Sequence, residues 1–229
     1  MSATFLAQVP GGQATFLTSQ GAGQAQFVSS NPPVIVAGNA AANMSTAGMT
    51  ALVSVYQDDI ANSWVLPIDF YFFGVNYGKG LAGGMGWDSN FVISFSQAWN
   101  TITWPNTQPG VCLGNSDRAT NTFHYSGALT SGSAQYVNCV VQGQNLYNDG
   151  LTAAAKYQYR LIKDATYQYI EVRCAAGFTS QGTWKVATGP NGGNVAINGA
   201  YVGTGQSGVW RSSLTGTNWT WFANSYVNI

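Results

Sequence analysis

Side chains that could do acid–base or nucleophilic chemistry are scarce in this sequence of 229 residues. His124 is the one imidazole, and Asp117 and Ser126 are its nearest candidate partners for a Ser-His-Asp arrangement. Residues 122–125 alternate polar and aromatic side chains as a strand does, and the sequence has no G-x-S-x-G nucleophile motif. We therefore predict a half-exposed sheet histidine and no catalytic residue.

The eight carboxylates offer a second kind of chemistry, because two of them about 5–10 Å apart suffice for glycoside cleavage. No pair is singled out by motif, so an enzyme that acts on glycosides stays an alternative, which predicts lost activity when Asp88 or Glu171 is replaced. Oxygen ligands for calcium recur at 57–59, 88–90 and 148–150 without forming a known calcium loop. Asx turns explain the same residues, so we predict neither a metal nor a cofactor.

Glu171, the single glutamate, is better explained by a β-hairpin. Residues 156–163 and 166–174 flank a two-residue turn, which predicts that 163 pairs with 166. One face of this hairpin is then largely apolar. The other face carries the charged residues, namely Arg160, Glu171 and Arg173. We predict that they form ion pairs on the sheet surface.

The three cysteines, Cys112, Cys139 and Cys174, are odd in number and lack C-x-x-C spacing. This pattern indicates neither a zinc site nor a disulfide framework. We predict buried free thiols in a protein that folds in a reducing compartment.

Tryptophans beside neutral polar residues suggest a binding surface for sugars, whose apolar face stacks on a ring while their hydroxyls form hydrogen bonds. Trp219 and Trp221 flank one residue, so a strand would place both rings on one face. We predict a sugar-binding platform of Trp219, Trp221 and Trp210. The alternative is that these rings fill the core or subunit contacts.

Charge is sparse along the whole chain. Lys, Arg, Asp and Glu make up 7% of it with zero net charge, against about 25% in an average soluble protein. Nucleic-acid binding and polybasic membrane contacts need clustered Lys and Arg, so neither is expected. No apolar run approaches about 18 residues, so no spanning helix is expected. Residues 1–57 hold no charged side chain, which indicates surface covered by other protein.

The N-terminal region contains a short repeat in which Phe5, Phe16 and Phe27 recur every 11 residues between Gly- or Pro-containing turns. Each unit offers too few apolar residues to bury a core alone. We predict an assembly arm over 1–45, wound together from several copies, and a body over 46–229. The alternative is that the repeat forms three strands of an ordinary sheet.

Strand-type segments rich in aromatic and β-branched residues fill the body, separated by Gly, Asn and Ser turns, and no segment keeps a helical period. Residues 65–78 (VLPIDFYFFGVNYG) and 87–95 (WDSNFVISF) resemble nidogen-like β-sandwich domains, in which "LP-F-F-FG--Y" precedes "SNG-I-F". The sequence departs from that pattern at Phe91, where the family has glycine. We predict an all-β fold with a β-sandwich body, jelly-roll or nidogen-like.

The resemblance implies an adhesive role, and similar stretches occur in bacteriophage structural proteins. The first residues lack the basic segment of a secretory signal, which favours a protein that folds in the host cytoplasm and acts in the virion. We therefore predict a non-enzymatic tail-fibre or surface-attachment subunit. It would be a homo-oligomer such as a trimer, bound to other virion proteins and contacting host-surface glycans. The alternatives are a capsid decoration or head-fibre protein, a lectin and the glycoside-acting enzyme.

Overall fold

A computed structural model describes residues 32–58, 60–78, 85–89, 91–95, 109–112, 118–145, 154–177, 184–188, 196–199 and 202–229. These residues contain eighteen β-strands and no helix, which confirms the all-β prediction. Within this part of the chain, no helix is long and apolar enough to cross a membrane. The strands are β1 (Val34–Ala37), β2 (Thr50–Val53), β3 (Ala61–Trp64), β4 (Tyr71–Phe72), β5 (Val75–Asn76), β6 (Met85–Asp88), β7 (Val92–Ser94), β8 (Pro109–Cys112), β9 (Arg118–Tyr125), β10 (Leu129–Ser131), β11 (Ala134–Asn145), β12 (Ala154–Lys163), β13 (Tyr167–Ala176), β14 (Trp184–Thr188), β15 (Ala196–Gly199), β16 (Ser207–Ser213), β17 (Thr220–Ala223) and β18 (Ser225–Asn228).

Two antiparallel sheets form the body. The larger sheet has the order β17-β16-β13-β12-β11-β9-β2 with β10 beside β11, and the smaller sheet has the order β15-β14-β8-β7-β6-β3. Apolar residues from both sheets meet in one core, where Trp87 of the smaller sheet stacks on Phe123 of the larger with 4.5 Å between ring centroids. Two sheets packed face to face over such a core make this chain a β-sandwich.

The apolar segment after β3 closes part of this core. Leu66, Ile68, Phe70 and Phe72 are all buried and alternate with more exposed residues. The rings of Phe72 and Phe95 stack with 4.0 Å between their centroids. This alternation explains the long apolar run in the sequence, because every second side chain enters the sandwich.

The turn between β6 and β7 places a bulky residue in a conformation that favours glycine. Phe91 has a φ of 64°, in the left-handed region, which glycine adopts without strain. Its side chain is fully buried and lies 5.5 Å from Trp87 and 6.3 Å from Tyr157 between ring centroids. These contacts offset the backbone strain that a left-handed residue other than glycine incurs.

The hairpin of β12 and β13 forms, but its predicted register is wrong by two residues. Lys163 pairs with Gln168 rather than with Thr166. The physical reason is the side chain of Asp164, whose Oδ1 accepts the backbone N–H of Thr166 at 2.6 Å and that of Tyr167 at 2.7 Å, which builds a wider turn. A shift of two preserves the faces, so the predicted apolar face does lie in the core.

The charged face of this hairpin is buried, so the predicted position of Glu171 on the sheet surface is wrong. Strands β1 and β18 pair into a two-stranded sheet that covers the outer face of the larger sheet. Beneath it, Glu171 is fully buried and forms ion pairs with Arg160, directly opposite, and with Arg173 at 2.8 Å. The backbone N–H of Val227 on β18 also donates to Glu171, at 3.3 Å.

Residues 1–31 of the predicted arm lie outside the described residues. The rest of the predicted arm contains β1 and is held on the larger sheet. The backbone N–H of Asn43 donates to Gln158 Oε1 at 2.9 Å, and the side chain of Asn39 accepts the N–H of Ser207 at 3.0 Å. Residues 32–45 are thus hydrogen-bonded to the body.

Candidate functional site

A pocket of about 600 Å³ lies on the outer face of the larger sheet, where β1 meets the turn between β12 and β13. Its volume lies within the range of about 300–1,000 Å³ that is usual for small-molecule sites. We call it the outer pocket. The lining residues that matter here are Pro33, Val34, Asp164, Tyr167, Arg211 and Phe222.

Arg211 is the cation of the outer pocket. Its guanidinium carbon lies 4.9 Å from the ring centroid of Tyr167 and 5.1 Å from that of Phe222, within the distance of about 6 Å for cation–π contacts. Among the described residues, Arg211 donates no side-chain hydrogen bond and joins no ion pair. The two rings thus contact the guanidinium, and no described residue accepts a hydrogen bond from its N–H groups, so a ligand can do so.

Asp164 is the acidic group of the outer pocket. The turn uses its Oδ1 to accept two backbone N–H groups, which fixes the carboxylate. Among the described residues, no donor reaches its Oδ2. This oxygen is therefore available to accept a hydrogen bond from a ligand hydroxyl.

Tyr169 fixes the wall formed by the start of β1. Its hydroxyl donates to the carbonyl oxygen of Pro33 at 3.3 Å. Burial raises the pKa of Tyr169 to about 12; nearby Asp164 adds to the rise and Arg211 opposes it. The phenol therefore keeps its proton at neutral pH and remains a hydrogen-bond donor to the wall.

The outer pocket combines the three features that recognise a saccharide ring. Tyr167 is 38% exposed, and the part of its ring that Arg211 does not cover offers an apolar surface for stacking. Arg211 supplies donors and Asp164 an acceptor, both on rigid supports. A ring that carries hydroxyl and carbonyl or carboxylate oxygens fits this combination of groups.

The predicted tryptophan platform lies elsewhere, at the edge of the larger sheet. Trp210 is fully buried and contacts its cross-strand partner Trp221, with 4.3 Å between ring centroids. Trp219 is 5% exposed and packs 5.5 Å from Phe72. Trp221 is partly exposed and lies so close over Gly208 that a Cβ there would come within 2.1 Å of the ring. All three rings therefore contribute to core packing, and the platform stays a prediction.

Of the predicted assembly residues and the candidate partners of His124, the structure describes Ser126 alone. Phe5, Phe16 and Phe27, the predicted assembly residues, lie outside the described residues, as does Asp117. The hydroxyl of Ser126 donates to the carbonyl of Gly127 and accepts the N–H of Asn138.

The two carboxylates that an enzyme was expected to use are in different layers. Asp88 lies on the smaller sheet and accepts the N–H of Val92 at 3.2 Å, whereas Glu171 lies on the outer face of the larger sheet. No group of three or more His, Cys, Asp or Glu side chains in the described part could hold a metal ion.

Two of the predicted buried thiols are confirmed. Cys139 and Cys174 are buried and free, and burial raises the pKa of both, that of Cys174 to about 11. Both therefore remain neutral thiols at physiological pH, which makes them poor nucleophiles. The side chain of Cys112 lies outside the described part.

Sequence reasoning did not find Tyr167, Arg211 and Phe222. The alternation along β13 and β17 could have placed Tyr167 and Phe222 on outward faces, opposite to the core residues Gln168 and Trp221. Their meeting at Arg211 depends on β16 lying between β13 and β17, which the sequence does not show.

In comparisons with known proteins, no family model, no curated protein and no solved structure matches this chain.

Proposed function

We propose that this protein is a non-enzymatic structural subunit of a virus particle, of the tail-fibre or surface-attachment type, and that its outer pocket binds host-surface glycans. The observation that carries the proposal is the outer pocket itself. It brings an exposed aromatic ring, an arginine with available donors and a fixed carboxylate to one cavity.

The glycan part of the proposal rests on how the groups are supported. Tyr167 and Arg211 lie on adjacent strands of the larger sheet, and the guanidinium of Arg211 contacts the rings of Tyr167 and Phe222. A ligand that binds there does not have to order these side chains first, so little binding energy is lost to ordering. Attachment to repeated surface glycans needs only modest affinity per site when several copies act together.

The particle part of the proposal rests on charge and on the N-terminal repeat. A chain with 7% charged residues and an uncharged first stretch is poorly suited to exist as an isolated monomer, and contacts with its own copies would cover that surface. The sequence pattern of residues 65–78 and 87–95, from which we expect an adhesive module, agrees with this role.

Glycan binding is tested with the full chain on immobilised host-surface polysaccharide. Replacing Tyr167→Ala removes the stacking surface, so we expect affinity to fall about two- to tenfold, as for the loss of one aromatic contact. The matched control is Tyr56→Ala, which removes an exposed tyrosine from the connection between β2 and β3 and leaves affinity unchanged. Equal binding by both variants, or no binding by the parent chain, would refute glycan binding at the outer pocket.

A further inference from the structure

We infer that the outer pocket selects a saccharide that carries a carboxylate, such as a hexuronic acid, and that Arg211 pairs with this carboxylate. The inference rests on the proposed glycan binding and adds the chemical class of the sugar. It follows from the geometry of one cation that forms no ion pair with any described residue, although Asp164 lines the same pocket.

Arg211 differs from two other arginines of the larger sheet in its ion pairing. The outer face of the larger sheet contains two other arginines close to β18, and both form an ion pair with the one carboxylate of Glu171. Arg211, on the neighbouring strand, is half-buried between Tyr167 and Phe222 and has no carboxylate within 4.0 Å among the described residues. A partly buried charge is stabilised when an anion completes its coordination.

The geometry of the guanidinium favours a carboxylate over a single hydroxyl. The guanidinium carbon lies over both rings, and neither ring can accept a conventional hydrogen bond from its N–H groups, which are therefore the means of contact with a ligand. A planar fork of N–H donors matches the two oxygens of a carboxylate in a bidentate pair. Such a pair is shorter and stronger than a hydrogen bond to a neutral oxygen.

Asp164 determines which part of the sugar can face it. This carboxylate lines the same cavity and repels a second anion, so the carboxylate of a ligand is directed away from it and towards Arg211. The hydroxyl side of the sugar then faces Asp164, whose Oδ2 accepts a hydrogen bond. The two charged groups thus orient an acidic sugar in one direction across the ring of Tyr167.

The test compares matched sugars on the full chain. Methyl glucuronide and methyl glucoside differ only in whether C6 is a carboxylate or an alcohol, and each is titrated by isothermal calorimetry. We expect the acidic sugar to bind at least about tenfold more tightly, the gain typical of a charge-assisted pair. Replacing Arg211→Gln should abolish this preference while leaving weak binding of the neutral sugar.

Two further variants separate specific pairing from general electrostatics. Lys163→Gln removes a positive charge close to the same turn without lining the outer pocket, and it should keep the preference. Arg211→Lys keeps the charge but loses the planar fork, so it should retain only part of the preference. Thermal unfolding of each variant, followed by circular dichroism, checks that the fold is intact.

Each outcome decides between the two claims. If the parent chain binds neither of the two sugars and none of a panel of host polysaccharides, the proposed function fails together with this inference. If both sugars bind equally and Tyr167→Ala weakens both, glycan binding stands and the acidic preference is wrong. If Arg211→Gln keeps the preference, or Lys163→Gln loses it to the same extent, pairing with Arg211 is wrong.

Discussion

At the residue scale, the backbone conformation of Phe91 favours glycine, whereas its position in the core favours a large apolar side chain. The left-handed φ of 64° favours glycine, whereas the buried ring fills the core beside Trp87. Replacing Phe91→Ala removes the ring and keeps the strain, so we expect a loss of about 3–5 kcal/mol in the free energy of unfolding. Phe91→Gly also relieves the strain and should be about 1 kcal/mol more stable than the alanine variant.

Urea unfolding of the three chains measures this order. At an ordinary strand or turn position glycine is the less stable of the two small residues, so the expected order is specific to a left-handed conformation. An alanine variant that equals or exceeds the glycine variant in stability would show that position 91 is not left-handed in the folded protein.

At the element scale, Glu171 fastens β18 to the larger sheet. It forms ion pairs with Arg160 and Arg173 and accepts the N–H of Val227. Arg160 is only 8% exposed, and desolvation by burial lowers its pKa, against the effect of Glu171, which raises it. Replacing Glu171→Gln leaves both arginines without a counter-charge, so we expect a loss of about 3–5 kcal/mol, as for other broken buried pairs.

Hydrogen exchange locates this effect. Amides of residues 225–228 should exchange faster in Glu171→Gln, because the substitution removes the carboxylate that orients Arg160, which itself donates to the Val227 carbonyl, so β18 opens before the sandwich does. The exposed carboxylate of Asp69 provides the control, and Asp69→Asn should leave both stability and exchange nearly unchanged. Unchanged protection of β18 in the Glu171 variant would contradict its role as an anchor.

The elements also show which parts of the fold follow from sequence. Strand type and the face of each hairpin residue depend on local alternation, so they could be predicted, and a register error of two residues leaves every face unchanged. The burial of Glu171 could not be predicted, since it depends on a strand more than 50 residues later in the chain that folds back over it. The width of the turn depends on one side chain, Asp164, which caps it.

At the scale of the whole molecule, the candidate site arises from topology rather than from a motif. The pocket residues are far apart in sequence. The pairing of β13, β16 and β17 brings together the turn at 164–167, Arg211 and Phe222, and the packing of β1 and β18 over the larger sheet adds the start of β1. Reasoning from tryptophan content pointed to aromatic side chains as the sugar-binding surface. The sandwich uses those tryptophans in its core and places tyrosine, phenylalanine and arginine at the outer pocket.

The central claim is that the outer pocket is where this protein holds a glycan. A crystal structure of the full chain with methyl glucuronide tests it most directly. We expect the sugar ring against Tyr167, its carboxylate on Arg211 and a hydroxyl on Asp164. Sugar bound over Trp221 with the outer pocket empty, or no bound sugar at a concentration that saturates binding in solution, would contradict the account.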